Sequence, residues 1–154
     1  MTLLVFDEIQ TGCGRTGSLF RFQAEAVVPD ILLLGKAFGG GLPLACFIAS
    51  HNIMKVLQHN PVLGHITTFG GNAVSCAAAL ASLQEIVEQK LHASVETKAQ
   101  LFATLLQHPA IGKINHCGLM MAVYLDNFEQ LKKVIANCLE NGLITDWFLF
   151  ANNC

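Results

Sequence analysis

Hydrophobic and polar positions follow two regimes along the chain. In the first, apolar residues come in short unbroken runs. Leu3, Leu4, Val5 and Phe6 form one run, closed by Asp7 and Glu8. Ile31, Leu32, Leu33 and Leu34 form another, introduced by Asp30 and closed by Gly35 and Lys36. Runs this short and without alternation predict parallel strands covered on both faces. Residues 44–49 predict a third strand, reached through Gly39, Gly40 and Gly41. Ser50 is a candidate cap for a short helix through Gln58, and Asn60, Pro61 and Gly64 mark a loop. Asn72 reads as the N-cap of a long helix reaching residue 89, with its alanines, Leu80, Leu83 and Val87 as the packing face.

The second regime begins near residue 90, where helical periods alternate with half-buried strands. Ser94 predicts a helix start with Val95, Ala99, Phe102 and Leu106 on one side and Pro109 beyond its end. Residues 111–114 and 119–125 predict strands, the second alternating through Leu119, Met121, Val123 and Leu125. Asp126, Asn127, Phe128 and Glu129 form a capping-box pattern ahead of a helix whose Phe128, Leu131, Ile135 and Cys138 share a face. Asn141 and Gly142 close it, and residues 143–145 and 147–150 predict two last strands. The pattern is that of an α/β chain in two parts, 1–89 and 90–154.

Composition adds a tension. Of 154 residues, 53% are hydrophobic and 13% charged. That is too few charges to cover a small free-standing globule. A membrane does not explain it, because a spanning helix needs about 20 consecutive apolar residues and no run approaches that. There is no basic-then-apolar leader, and the chain enters a strand-like run at once, so further sequence is expected upstream. The remaining explanation is a piece of a larger core. The net charge is −2 with no basic patch, which argues against nucleic acid and anionic membranes as partners. The six cysteines contain no CxxC pair and read as reduced, mostly buried thiols of a cytoplasmic protein.

Several residues invite a chemical reading. Gly12, Cys13, Gly14, Arg15, Thr16 and Gly17 fit GxGxxG, the dinucleotide fingerprint. In that motif the first glycine ends the strand directly and the third lies in an opening helix. Here residues 7–11 intervene and residues 18–22 show no helical repeat, so the nucleotide reading is set aside. The six histidines show no metal-ligand spacing, and no metal is expected. The strand ends are more promising, since sites in open α/β sheets collect at the carboxyl ends of parallel strands. Asp7 ends one such run and Lys36 follows another. A lysine emerging from an apolar strand is a candidate Schiff-base amine, and a carboxylate on a neighbouring strand is a partner for a pyridinium nitrogen. An ordinary Asp–Lys ion pair at a sheet edge uses the same two residues.

Resemblance weighs between these readings. Residues 4–17, LVFDEIQTGCGRTG, resemble the signature of class III pyridoxal-phosphate aminotransferases. Residues 28–37, VPDILLLGKA, with GGGLP at 39–43, resemble that family's Schiff-base lysine segment, and HITTFGGN at 65–72 resembles its phosphate-contacting segment. Gly118, Leu119 and Met120, and later Gly142, Leu143, Ile144 and Thr145, match the start of the family's C-terminal domain. The resemblance implies the fold type I architecture of pyridoxal-phosphate-dependent transferases. Residues 1–89 would be the later part of the large, mixed parallel-sheet domain, and residues 90–154 most of a small α+β domain. It implies pyridoxal 5′-phosphate as cofactor, and transfer of an amino group between an amino acid or amine and a 2-oxo acid. Asp7 would pair with the ring nitrogen, Gln10 would lie near the phenolic oxygen, and Lys36 would be the Schiff-base and proton-shuttling lysine. Thr68 would reach the phosphate of the other subunit's cofactor in a homodimer. The family's upstream phosphate loop and its downstream substrate-binding arginine have no counterpart here, so the 154 residues alone are expected to be inactive or nearly so. An inactive truncated relative and a sister enzyme, an aminomutase or racemase, are the alternatives.

Overall fold

A computed structural model of the chain describes residues 2–62, 65–147 and 151–154. It divides into two compact units, 1–95 and 96–154. In the first unit, strands β1 (Val5–Asp7), β2 (Ile31–Leu34) and β3 (Cys46–Ala49) form one sheet in the order β1-β2-β3. β1 runs parallel to β2, with Val5 opposite Ile31 and Asp7 opposite Leu33. β3 runs antiparallel, with Leu34 opposite Cys46. The sheet is therefore mixed. Leu32 and Leu34 of the central strand are buried, Leu34 to 2% exposure.

β1 differs from the expectation of a strand covered on both faces. It is an edge strand, and Leu3, Leu4 and Val5 remain more than two-fifths exposed, because no described element lies beyond it in the sheet. Between β1 and β2 come a series of turns over residues 9–17 and a single-turn helix, α1 (Arg21–Ala24). After β2 the chain makes a 3₁₀ turn at Lys36–Gly39. The helix foreseen after Ser50 is split into α2 (His51–Met54) and a 3₁₀ turn at Lys55–Gln58.

The long helix α3 (Ala73–Glu88) starts as its sequence foretells: the Asn72 side-chain oxygen accepts from the amides of Val74 and Ser75, both at 3.1 Å. Its buried positions are Ser75 and Ala79, one turn apart, while Leu80 and Val87 are exposed. Of the expected packing face, Ala79 is thus buried, and the larger apolar part is not. The cause lies at Gly40. A Cβ there would stand 2.5 Å from the Ala78 carbonyl oxygen, so the turn after Lys36 sits directly on the α3 backbone. Such an approach admits only small side chains between the two elements.

The second unit holds most of α4 (Val95–Leu105), the hairpin of β4 (Ile111–Cys117) and β5 (Met120–Leu125), and α5 (Phe128–Glu140). Ser94 does not cap α4: its hydroxyl donates to the Leu91 carbonyl at 3.1 Å, inside a preceding 3₁₀ turn. β4 runs three residues past its expected end. A register irregularity at Gly112 and the polar Lys113, Asn115 and His116 hide it from a hydrophobicity pattern, while β5 supplies the antiparallel ladder. α5 is capped by Asn127, whose side chain accepts from the Gln130 amide at 3.0 Å, one residue later than the Asp126 pattern suggests. Leu131 is fully buried on the expected face, whereas Phe128 is largely exposed and has the Lys132 ammonium 4.9 Å from its ring centroid. Residues 143–145 form no strand; once Gly142 ends the helix with a φ of +80°, they continue without a ladder partner. Residues 148–150 of the other expected strand lie outside the described residues. An unforeseen pairing extends the hairpin: the Val123 and Leu125 amides donate to the Cys154 and Asn152 carbonyls at 2.8 Å, and the Cys154 amide donates back to the Val123 carbonyl at 3.1 Å.

Candidate functional site

The candidate site lies at the carboxyl end of the β1–β2 pair. Register alone brings Asp7 and Lys36 to that end, since Asp7 is opposite Leu33 and Lys36 follows Leu33 by three residues. The ladder continues one step past β1, the Glu8 amide donating to the Leu33 carbonyl at 3.0 Å. Both Asp7 and Lys36 are exposed. Asp7 is oriented locally, its Oδ1 accepting from the Ile9 amide at 3.0 Å. Lys36 opens the 3₁₀ turn with a φ of +48°, a left-handed conformation that lysine seldom adopts. Gly35 before it leaves room for its neighbour: a methyl there would lie 3.4 Å from the Ile9 side chain.

Gln10 is exposed in the turn directly after β1, on the same loop as Asp7. Thr68 is exposed in the turns leading to α3, where the Thr67 carbonyl accepts from the Gly70 amide at 3.3 Å. No hydrogen bond among the described residues joins Thr68 to Asp7 or Lys36. Arg15 is exposed at the tip of the glycine loop. That loop is a chain of turns, Gly12 donating to Glu8, Arg15 to Gly12 and Gly17 to Gly14, and no helix opens inside it.

Glu8 belongs to the same loop and is not singled out by the sequence pattern. It is 3% exposed, and its carboxylate accepts from the amides of Arg21 and Phe22 at 2.6 and 2.7 Å. Its partners are backbone N–H groups, which leave no side-chain signature; only the position of an acid directly after a strand-ending Asp could have flagged it. Cys13, on the same loop, has its thiol pushed up from the usual range by burial first, then by the Glu8 carboxylate and by Cys46. Among the described residues there is no cluster of three His, Cys, Asp or Glu side chains able to hold a metal, and no helix long and apolar enough to cross a membrane.

The arrangement joins an acceptor carboxylate, a primary amine and a glycine loop at one strand end. A family model for class III aminotransferases matches residues 1–148. The chain belongs to the class III aminotransferase family. Solved structures of such enzymes superpose on it closely. The ornithine aminotransferase of Toxoplasma gondii, crystallised with oxidised glutathione and with pyridoxal phosphate at partial occupancy in its active site, is 34% identical at a TM-score of 0.85. The match covers 99% of this chain and 37% of that one. The acetylornithine aminotransferase of Elizabethkingia anophelis is 35% identical at a TM-score of 0.82, covering 93% of this chain and 37% of its own. A Bacillus anthracis aminotransferase is 29% identical at a TM-score of 0.85, with 98% and 38% covered. The chain thus spans less than two-fifths of the length of these class III aminotransferase relatives, and its fold is that of the pyridoxal-phosphate transferases.

The donor set fits pyridoxal phosphate. An exposed carboxylate can accept from a protonated pyridine nitrogen, and an exposed lysine amine can condense with an aldehyde.

Proposed function

We propose that this chain is the segment of an aminotransferase that supplies the cofactor-nitrogen partner and the reactive lysine. The whole protein would transfer an amino group between an amino acid or amine and a 2-oxo acid. The observation that carries this reading is the Asp7–Leu33 register, which sets Asp7 and Lys36 at the ends of adjacent parallel strands in a class III chain. Bound pyridoxal phosphate supplies an electron-accepting ring that stabilises negative charge on the substrate carbon.

The protein's residues divide the remaining work. Asp7 holds a proton on the ring nitrogen by accepting its hydrogen bond. Lys36 would hold the cofactor through Nζ and, when that amine is free, would move a proton between the substrate carbon and the cofactor's C4′. Gln10, on the Asp7 loop, donates toward the phenolic oxygen. Thr68 offers an uncharged hydroxyl donor to the phosphate in the other subunit of a homodimer, which agrees with its exposure and its lack of a bond to Asp7 or Lys36. We place the protein in the cytoplasm, where its thiols stay reduced.

Spectroscopy tests the reading. Adding pyridoxal phosphate to the 154-residue chain should produce a visible band that is lost in Lys36→Ala, with amino transfer to a 2-oxo acid absent or very weak. A band that survives Lys36→Ala would overturn the assignment of Lys36.

A further inference from the structure

Glu8 is the one buried acidic side chain among the described residues. A carboxylate taken out of water is costly unless its oxygens are satisfied. Here both are: Oε2 accepts from the Arg21 amide at 2.6 Å and Oε1 from the Phe22 amide at 2.7 Å, at the start of α1. These are the short distances of charge-assisted hydrogen bonds. The backbone of Glu8 is fixed as well. Its N–H donates to Leu33 of β2 and its carbonyl accepts from Gly12, both at 3.0 Å. Gly12 is folded tightly over it, since a Cβ there would stand 2.9 Å from the Glu8 carbonyl oxygen and 3.5 Å from Oε2. Glu8 is therefore tied to β2, to the glycine loop and to α1 at once. Asp7 lies immediately before this anchor, and Ile9, whose amide orients the Asp7 carboxylate, immediately after.

We propose that Glu8 is a positioning residue for Asp7: its clamped carboxylate fixes the turn that presents the Ile9 amide to Asp7 Oδ1, and so aims the Asp7 carboxylate. The proposal rests on the reading of Asp7 as the cofactor-nitrogen partner. Without the clamp, burial of Glu8 is no longer compensated, residues 8–12 loosen, and Asp7 loses its fixed direction while β2 and β3 stay paired.

Three variants separate this from a general loss of structure. Glu8→Gln keeps the shape but halves the acceptor set. Arg21→Pro deletes one donor where proline is tolerated, at the first helical position after an extended Phe20 (φ −128°, ψ 142°). Arg21→Ala keeps the donor and controls for the lost side chain, which pairs with Glu25. Amide hydrogen exchange on the 154-residue chain should show Ile9 exchanging about tenfold faster in Glu8→Gln and Arg21→Pro, with β2 amides unchanged and Arg21→Ala like the parent. With pyridoxal phosphate added, Glu8→Gln should shift the pH midpoint of the Lys36-dependent band in the same direction as Asp7→Asn. Unchanged Ile9 exchange in both Glu8→Gln and Arg21→Pro overturns the proposal, even if thermal stability falls. So does an unchanged pH midpoint. Should Glu8→Gln fail to fold, the exchange of Ile9 in Arg21→Pro decides. Should the parent chain show no Lys36-dependent band, the cofactor reading fails for this chain, and exchange at Ile9 still decides whether Glu8 orients Asp7.

Discussion

At Lys36 the backbone holds a side chain where glycine would be easier, with a φ of +48°. Such positions cost about 1–2 kcal/mol for an L-residue and persist where the surroundings over-determine them, most often at functional sites. Here the surroundings are the end of β2, the close-set Gly35 and the seat of Gly40 on α3. The strand-end positions of Lys36 and Asp7 are legible in sequence because a charged residue following an apolar run is conspicuous. The left-handed turn and the Glu8 clamp are not, because both depend on backbone groups that every residue shares. The cysteines give a test at the same scale. Burial raises the thiols of Cys13, Cys46 and Cys154 above the ordinary value of 9.0, whereas Cys76 is exposed. A disulfide reagent near pH 8 should therefore modify Cys76 well before Cys13 and Cys46; equal rates would contradict the structure. A folded-state value above the unfolded one means the native state holds the proton more tightly. The stability these thiols contribute is complete below about pH 9 and falls as pH rises through that range. Denaturant midpoints measured from pH 7 to 10.5 should decline across the upper end, less so when Cys13 and Cys46 are replaced by alanine.

Helix α3 shows what an element's pattern reveals and what it leaves out. Asn72 is a visible cap and performs as one; Asn72→Ala should lower stability by about 1 kcal/mol in urea unfolding. The far end carries Lys90 in the left-handed conformation, φ +50°, one residue past the Gln89 cap. Glycine is the usual occupant of that position, so Lys90→Gly should raise the urea midpoint by an amount equivalent to about 1 kcal/mol. A loss of stability would show that the lysine side chain matters more than its strain. Ala79 of the buried face was legible, but the exposure of Leu80 and Val87 was not, because periodicity weighs large apolar residues and this helix meets a backbone. Contact between Gly40 and Ala78 selects for smallness over bulk. The β4–β5 hairpin has the opposite limit: its ladder extends across Lys113, Asn115 and His116, whose polarity interrupts the pattern that hydrogen bonding ignores.

For the whole chain, the excess of apolar residues noted in the composition becomes surface. Val28, Phe69 and Ile144 are each more than four-fifths exposed, and Leu3, Leu4 and Val5 line an edge strand. Exposed apolar area on this scale promotes association. The 154-residue chain should bind a hydrophobic dye such as ANS in its native state and scatter light as oligomers at micromolar concentration. A clean monomer that leaves the dye dark would contradict this. The α/β character of the fold could be read from the change in periodicity, since short solid runs give way to amphipathic elements. The antiparallel sense of β3 could not, because direction depends on how the chain returns from the 36–45 excursion and not on which residues are apolar.

That excursion has a consequence for how the gene tolerates insertions and deletions. Both legs of the loop are stitched into the sheet, Leu34 to Cys46 on one side and Leu33 to Asp7 on the other. The position of the lysine is counted outward from Leu33 and owes nothing to the length of the return path. Gly41 is exposed, and a Cβ there would meet nothing, so residues added beside it would lengthen the return path and leave the lysine's address intact. One residue added between Leu34 and Lys36 would carry the amine about 3.3 Å along the chain and turn it to the other face, away from the aspartate with which it shares a strand end. Over evolutionary time, length variation should therefore collect on the far side of Gly41, while the three-residue count from Leu33 to Lys36 stays fixed.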